Sequence, residues 1–473
     1  MRSRFVRRVG WSLLLCLALA LPAGAQGLFY AEETKDGRIY VFNVQANWQR
    51  WKQSGETGVA ITRLGAGPNG ETVVADNETA LELFFFKHGI QQAVERPKTP
   101  TQRIEWRDGK TRITLDNFYL ELSNRVQPRF TYEMPDESVP LAGTGARGDS
   151  KGSFRIRRAK MKLEGWFYTT RLEYEVQMNW PDVNNTPPSQ FLEDANIDVD
   201  VTKGKTKAFR LRFGQFKAPY GRQQITSSGA QQFVDRAITD GAFNPARESG
   251  LALWGTLRGN KLDWRVMISN GNGRSPSAND NDKFLYTARA MWQAIGNTRM
   301  NQWGSGLLLT EGDLGDSAAA GGPLLAIAGQ YGNNSRFNAT TSNDLKTSTW
   351  GLDYTFKHKG FGSVAEVDWR NSTPETGPEF EHKGFLIQAS YAWKAPGIAG
   401  ASFWEVAGRY AWIDPSDLVG NNNQTEVGVA FSYYYNKHNL KLQADWRQVS
   451  DDAANAGRGT DNQEVRVQAQ FIF

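Results

Sequence analysis

The stretch with the most chemistry to offer is Phe154-Arg155-Ile156-Arg157-Arg158-Ala159-Lys160-Met161-Lys162-Leu163, with five cations in ten residues. Clustered Arg and Lys bind or steer anions. One exposed charge does so weakly, because a unit pair about 4 Å apart in water is worth only ~1 kcal/mol. A selective site therefore needs several like charges converging where water is scarce. Further candidates are Arg210, Arg212, Arg289 and Arg409, and the loop-like segment from Ala218 to Arg247. With its flanks that segment carries Lys217, Arg222, Arg236 and Arg247 against Asp235, Asp240 and Glu248. Acids at Glu173, Glu175, Asp194, Asp198 and Asp200 make the environment mixed in sign. Hydrolytic chemistry needs a base beside a nucleophile. The four histidines, His88, His358, His382 and His438, neither pair with a serine nor show metal-ligand spacing. No catalytic residue, metal or cofactor is expected, and the reading is of a protein that is not an enzyme.

The elements that must position these charges follow from a period of two beginning near Phe118. Leu172, Tyr174, Val176, Met178 and Trp180 alternate with Arg171, Glu173, Glu175, Gln177 and Asn179, setting one apolar face against one charged face. The pattern recurs at Leu262 to Ile268, Trp350 to Phe356, Phe385 to Trp393, Val427 to Tyr433 and Leu440 to Trp446, giving about sixteen strands. With a mean hydropathy of −0.55, 16 Trp, 15 Tyr and 26 Phe, the chain fits an all-β transmembrane antiparallel barrel, lipid on one strand face and water on the other. Apolar positions would then meet lipid, with Trp393, Trp404, Trp412, Tyr433, Trp446 and Phe473 in interfacial girdles. Within the basic strand the apolar phase flips at Arg157-Arg158. A β-bulge there would turn Arg155, Arg157, Lys160 and Lys162 all toward the lumen.

Connections alternate short and long, as between the periplasmic and external ends of an outer-membrane barrel. Arg258 to Lys261, His358 to Gly360 and Asn436 to His438 are tight, whereas Pro135 to Gly152, Asn270 to Asp282 and Ser450 to Asp461 are long. Ala218 to Arg247 is an outlier, and Phe233, Val234, Ile238 and Phe243 make it too apolar for a solvated tether. It reads as a loop folded into the lumen, with Ser228 capping a short helix through Arg236. Gly296 to Gly322 breaks the alternation, being long where a short turn belongs.

The N-terminal part reads differently. Arg2, Arg4, Arg7 and Arg8, an apolar run from Trp11 to Leu21, and Ala23-Gly24-Ala25 mark residues 1–25 as a secretory signal peptide cleaved near Ala25. The single cysteine, Cys16, lies inside it. Processing removes four arginines and no acid, leaving 51 Lys and Arg against 50 Asp and Glu. Anion preference must then come from placement rather than total charge. Residues 26–95 read as a small α+β domain, expected in the periplasm: a strand near Ile39, a helix ended by Gly55, a turn at Pro68-Asn69-Gly70, and a helix from Asn77 to Gly89. Residues 96–117 read as a linker, and 118–473 as the barrel.

Several runs, in order, resemble the phosphate-selective porin O and P family. They are the basic strand 154–163, Gly214-Gln215-Phe216-Lys217-Ala218-Pro219, Thr226-Ser227-Ser228, Phe233-Val234-Asp235-Arg236, Asn244-Pro245-Ala246-Arg247 and Asn270-Gly271. The resemblance implies a sixteen-stranded, homotrimeric, passive outer-membrane channel of a Gram-negative bacterium, for small ions or phosphate, with the third external loop folded into the pore. It also implies basic residues at the constriction and a ladder leading to it, for which Arg155, Arg157, Lys160 and Lys162 are the matching positions. Ser228-Gly229-Ala230-Gln231-Gln232 contains no lysine, so the loop is expected to set pore size more firmly than ion identity. The alternating strand ending at Phe473 resembles the signal read by the barrel assembly machinery. The competing reading is a structural or plugged barrel in outer-membrane lipid, whose N-terminal domain binds an envelope partner.

Overall fold

The computed structural model describes residues 29–90, 103–107, 109–136, 149–180, 191–202, 207–274, 278–298, 306–338, 343–396, 402–452 and 460–473. The signal peptide expected at 1–25 lies outside them. The chain divides into two compact units, between residues 99 and 100.

The first unit has strands β1 (Ala31–Lys35), β2 (Arg38–Phe42), β3 (Ile61–Arg63) and β4 (Thr72–Ala75) in the order β1-β2-β4-β3, with β2 and β4 parallel. Helices α1 (Gln45–Ser54) and α2 (Glu78–His88) join them. Helix α1 stops at Gly55, whose φ of 76° suits a residue without Cβ. Helix α2 starts where the Asn77 side chain accepts the Ala80 N–H at 3.0 Å. Ile39, Val41, Val73, Leu81 and Phe84 form the core.

Glu32 ties the ends of this unit together, accepting from Tyr30 Oη at 2.6 Å, Lys87 Nζ at 2.7 Å and His88 Nε2 at 3.0 Å. Partial burial would raise its pKa, but the bonds from Lys87, Tyr30 and His88 outweigh that and lower it from 4.5 to about 2. A depressed carboxylate contributes stability above its unfolded pKa and loses it as pH falls through the folded one. The melting temperature of this unit should therefore drop between pH 4.5 and 2, and Glu32→Gln should flatten that drop in a calorimetric series. An equally steep decline in the variant would remove Glu32 as its cause.

The second unit begins with the hairpin β5 (Arg103–Arg107) and β6 (Lys110–Leu115). Sixteen long strands follow. The first eight are β7 (Phe118–Met134), β8 (Lys151–Phe167), β9 (Thr169–Asn179), β10 (Leu192–Asp200), β11 (Arg210–Lys217), β12 (Arg247–Leu257), β13 (Leu262–Ser269) and β14 (Leu285–Ile295). The rest are β15 (Leu324–Asn338), β16 (Asn343–His358), β17 (Phe361–Pro374), β18 (Phe380–Lys394), β19 (Phe403–Asp414), β20 (Gln424–Asn436), β21 (Leu440–Asp451) and β22 (Thr460–Ile472). Each pairs antiparallel with its successor, and β22 closes on β7.

The alternation sorts residues as a barrel in lipid requires. On β20, Val427, Val429 and Phe431 are 43–50% exposed, whereas Glu426, Ala430 and Ser432 in the alternate phase are at most 2% exposed. The bulge is present: Gln127 faces Arg158 and Pro128 faces Ile156, leaving Arg157 as the extra residue. Two expectations need correction. Residues 103–115, within the expected linker, pair as β5 and β6, and β6 lies on the first part of β7. There β22 has already ended, so β7 would otherwise keep an unpaired edge. In the inward loop Ser228 caps no helix; the short helices are α3 (Arg222–Ile225) and α4 (Ile238–Phe243). Arg236 bonds Gln223 and Thr226 carbonyls instead, which draws the intervening residues into a turn.

Candidate solute pathway

The loop between β11 and β12 crosses the lumen because the opposite wall offers niches. Several inward positions on β19 and β20 are small: Ala407 and Ala430 receive Phe233, and Ala411, with Leu386 on β18, receives Ala237. A Cβ on Gly428 would stand 3.1 Å from the Phe233 ring, and one on Gly384 would collide with Phe243. Wall carboxylates meet loop amides that would otherwise lack acceptors. Glu366 accepts from Arg222 N at 2.7 Å, Asp445 from Val234 N at 3.0 Å and Glu426 from Ile238 N at 2.8 Å. Asp235 is gripped by Arg129 at 2.6 Å, Arg158 at 3.4 Å, Arg466 at 3.5 Å and Arg157 at 3.7 Å.

A second segment enters from the end of the barrel with the short turns. Residues 306–322, in the connection that broke the alternation, pack Leu308 and Leu309 against Met291, Ala326, Ala328 and the loop's Ile225. Leu314 packs with Ala392 and Tyr434. The two segments meet. Arg222 donates to the Leu308 carbonyl at 2.8 Å, and Glu311 accepts from Gln232 N at 2.9 Å and Gln388 Nε2 at 2.9 Å. Lys357 bonds Asp316 at 2.8 Å, and Asp313 accepts the Gly360 N–H at 3.0 Å. The two segments thus meet inside the lumen, between β14 to β16 and β18 to β20.

What remains beside β7 to β12 is basic. A cavity of about 70 Å³ is lined by Arg125 on β7, Lys160 and Lys162 on β8, Arg212 and Lys217 on β11, and Arg247 on β12. Glu175, Gln177, Asp194 and the loop hydroxyls of Ser227 and Ser228 complete the lining. Its volume is that of about two waters. Lys160 pairs with Glu193 at 2.5 Å, Lys162 with Glu164 at 2.6 Å, Arg247 with Asp194 at 2.8 Å, and Arg212 with Asp198. Arg125 and Lys217 differ. Among the described residues neither has a carboxylate in ion-pair range: Arg125 donates to Ser228 Oγ at 3.0 Å and Ser227 Oγ at 3.1 Å, and Lys217 to the Thr226 carbonyl at 3.1 Å. The Arg125 Nε has no partner. Gly229 lies beneath it, and a Cβ there would sit 2.7 Å from Arg125 Cζ and displace the guanidinium.

The residues singled out from sequence thus fall into groups. Lys160, Lys162, Arg212, Lys217 and Arg247 share the small cavity. Arg155 lies opposite Arg129 on the same face but is solvent-exposed, and Arg157 reaches Asp235. Three wall arginines, expected to line an open pore, are covered and paired instead. Arg210 bonds Glu173 at 2.6 Å, Arg289 bonds Asp353 at 2.6 Å, and Arg409 bonds Glu426 at 3.1 Å beneath the Phe233 ring, 4.0 Å from its centroid. Arg222, Arg236 and Asp240 hold the internal segments rather than edge an opening, Arg236 lying 3.6 Å from Asp240. Arg125, Arg129 and Arg466 are not among the residues singled out from sequence, and Arg158, left out of the inward set there, is buried 3.4 Å from Asp235. The signal was present in β7, where Glu121, Ser123, Arg125, Gln127, Arg129 and Thr131 keep one phase.

The sequence profile described as phosphate-selective porin O and P matches residues 141–473. The chain belongs to this family. It is accordingly a passive outer-membrane porin of the Gram-negative envelope, and its family and fold are those of a channel. No curated protein sequence matches the chain. Among solved structures, an anion-selective porin from Comamonas acidovorans is similar at 10% identity and TM-score 0.51, covering 74% of this chain and 99% of that one. The outer-membrane channel DcaP of Acinetobacter baumannii is similar at 12% identity and TM-score 0.48, covering 76% of this chain and 98% of its own. These likenesses concern the fold.

Proposed function

We propose that this porin passes small hydrophilic anions, phosphate among them, through the basic side of its lumen, and that it performs no catalysis. The observation that carries the reading is the six-cation cavity whose Arg125 and Lys217 have no carboxylate in ion-pair range among the described residues. Confinement to about two waters' volume strips part of an anion's hydration, and cations are worth more to it there than in bulk water. The cavity lies between the β7 to β12 wall and the loop residues Ser227 and Ser228, which places these cations where a solute would meet them. The description of the Comamonas protein as anion-selective is in keeping with this. Site roles, a homotrimeric state, signal cleavage near Ala25 and a periplasmic place for residues 26–95 belong to the same reading.

Purified protein in a planar bilayer should give stepwise conductance, an anion-selective reversal potential in a KCl gradient, and chloride current reduced by added phosphate. A cation-selective reversal potential would overturn the anion reading. The two segments that meet inside the lumen favour one competitor, a plugged structural barrel, and complete absence of conductance steps would decide for it.

A further inference from the structure

On the other side of the inward loop lies a cavity of about 390 Å³ that shares no lining residue with the basic one. Its volume is in the range of pockets for small organic ligands. Four side chains give it an apolar body: Tyr220 and Phe243 from the loop, Leu285 from β14 and Leu345 from β16. Two guanidinium groups give it positive charge. Arg370 lies 5.3 Å from the centroid of the Phe243 ring and donates to the Ala242 and Phe243 carbonyls at 2.9 Å, holding that loop arm over the cavity. Arg336 is exposed and has no ion-pair partner among the described residues. The one acid in the lining, Glu248, is occupied, accepting Gly271 N at 2.9 Å and Gly273 N at 2.7 Å. The hydroxyl of Thr287, also in the lining, is buried without a hydrogen-bond partner among the described residues.

We infer that this cavity is a binding site for a small monocarboxylate with a compact aromatic body. The guanidinium fork of Arg336 matches a carboxylate in two parallel hydrogen bonds. The ring would lie among Tyr220, Phe243, Leu285 and Leu345, where a fully hydrated inorganic anion gains nothing from the apolar wall. A ring without the carboxylate forgoes Arg336, and a carboxylate without the ring forgoes the apolar contacts, so the site requires both parts. The inference does not depend on conduction.

Titration calorimetry on the purified protein in detergent, with benzoate as probe, tests it. Benzoate should bind at least about tenfold more tightly than acetate, benzyl alcohol or inorganic phosphate. Arg336→Gln, at an exposed position, should weaken benzoate by about tenfold, of the order of one partly screened charge pair. Gly332 lies in the lining, and a Cβ there meets only Thr287 Cγ2 and Tyr220 Cδ2, each at 3.7 Å. Gly332→Leu should thus fit the wall, occupy the space beside Tyr220 where the ring would lie and weaken benzoate by about tenfold or more, while Arg125→Gln should leave it within about twofold. Equal affinity for benzoate and acetate overturns the inference, as does unchanged binding in Gly332→Leu. Loss of benzoate in Arg125→Gln would place it in the basic cavity and overturn the inference equally. If Gly332→Leu fails to fold, as shown by a loss of heat-modifiable gel mobility, Arg336→Gln decides alone: unchanged benzoate affinity in it rejects the site.

Discussion

Replacing residues 298–322 with an Asn-Gly turn should raise single-channel conductance by roughly an order of magnitude, because a sixteen-stranded barrel encloses an aqueous channel that one of its two internal segments then no longer obstructs. The segment removed carries Leu308, Leu309, Glu311, Asp313 and Leu314, each at most 2% exposed in the lumen, so its removal opens the space that they occupy. It also takes away the Leu308 carbonyl that receives Arg222 and the Glu311 carboxylate that receives Gln232 N. The inward loop then keeps only its wall anchors, and open-channel noise should rise with the mean current. The strands can bear the change, since Ile295 and Leu325 already face each other in register and a two-residue turn suits adjacent antiparallel strands. Folded protein would be recognised by heat-modifiable gel mobility. Unchanged conductance in folded protein would mean that the segment lies off the conducting path.

The second large effect is expected from charge. Arg125→Gln with Lys217→Gln should lower the anion-to-cation permeability ratio by roughly thirtyfold if each uncompensated charge contributes about 1 kcal/mol at the narrow cavity. These two are chosen because their loss leaves no carboxylate stranded. Neutralising Lys160 would instead take from Glu193 its 2.5 Å partner and leave that acid to Arg247 at 3.1 Å and Arg274 at 3.8 Å, so the lost cation would be confounded with a rearranged carboxylate. Reversal potentials across a KCl gradient measure the outcome. A ratio that stays within twofold would assign selectivity elsewhere, to Arg155, Arg157 and the other arginines around Asp235.

The barrel was legible because lipid imposes a rule on every strand, and Val427, Val429 and Phe431 obey it without reference to partners. The bulge was legible for the same reason, as a phase error around Arg157. Basic residues on β7 were harder to find because Asn124 and Pro128 interrupt its apolar phase and blur the alternation that carries Arg125 and Arg129. The segment 306–322 has neither helical nor strand period, and only its tertiary partners explain it. One local sign does exist on its partner strand. Leu324-Leu325-Ala326-Ile327-Ala328 is apolar on both phases, which a wall facing open water on one side would not be. Likewise the paired state of Arg289 and Arg409 depends on Asp353 and Glu426 on later strands, a matter of register that residue type does not reveal.

The grip on Asp235 has a consequence for how the molecule is made. Arg129 belongs to the first long strand and Arg466 to the last, and the seam between those strands joins residues as far apart in the chain as Gln127 and Gln470, separated by 343 positions. Pairings so distant in sequence form slowly, because the intervening chain must be brought round before any contact rewards it. Asp235 cannot hold both arginines until that seam has been joined. The inward loop is therefore seated in full only on a barrel that has already closed, so an unclosed intermediate lacks the finished constriction.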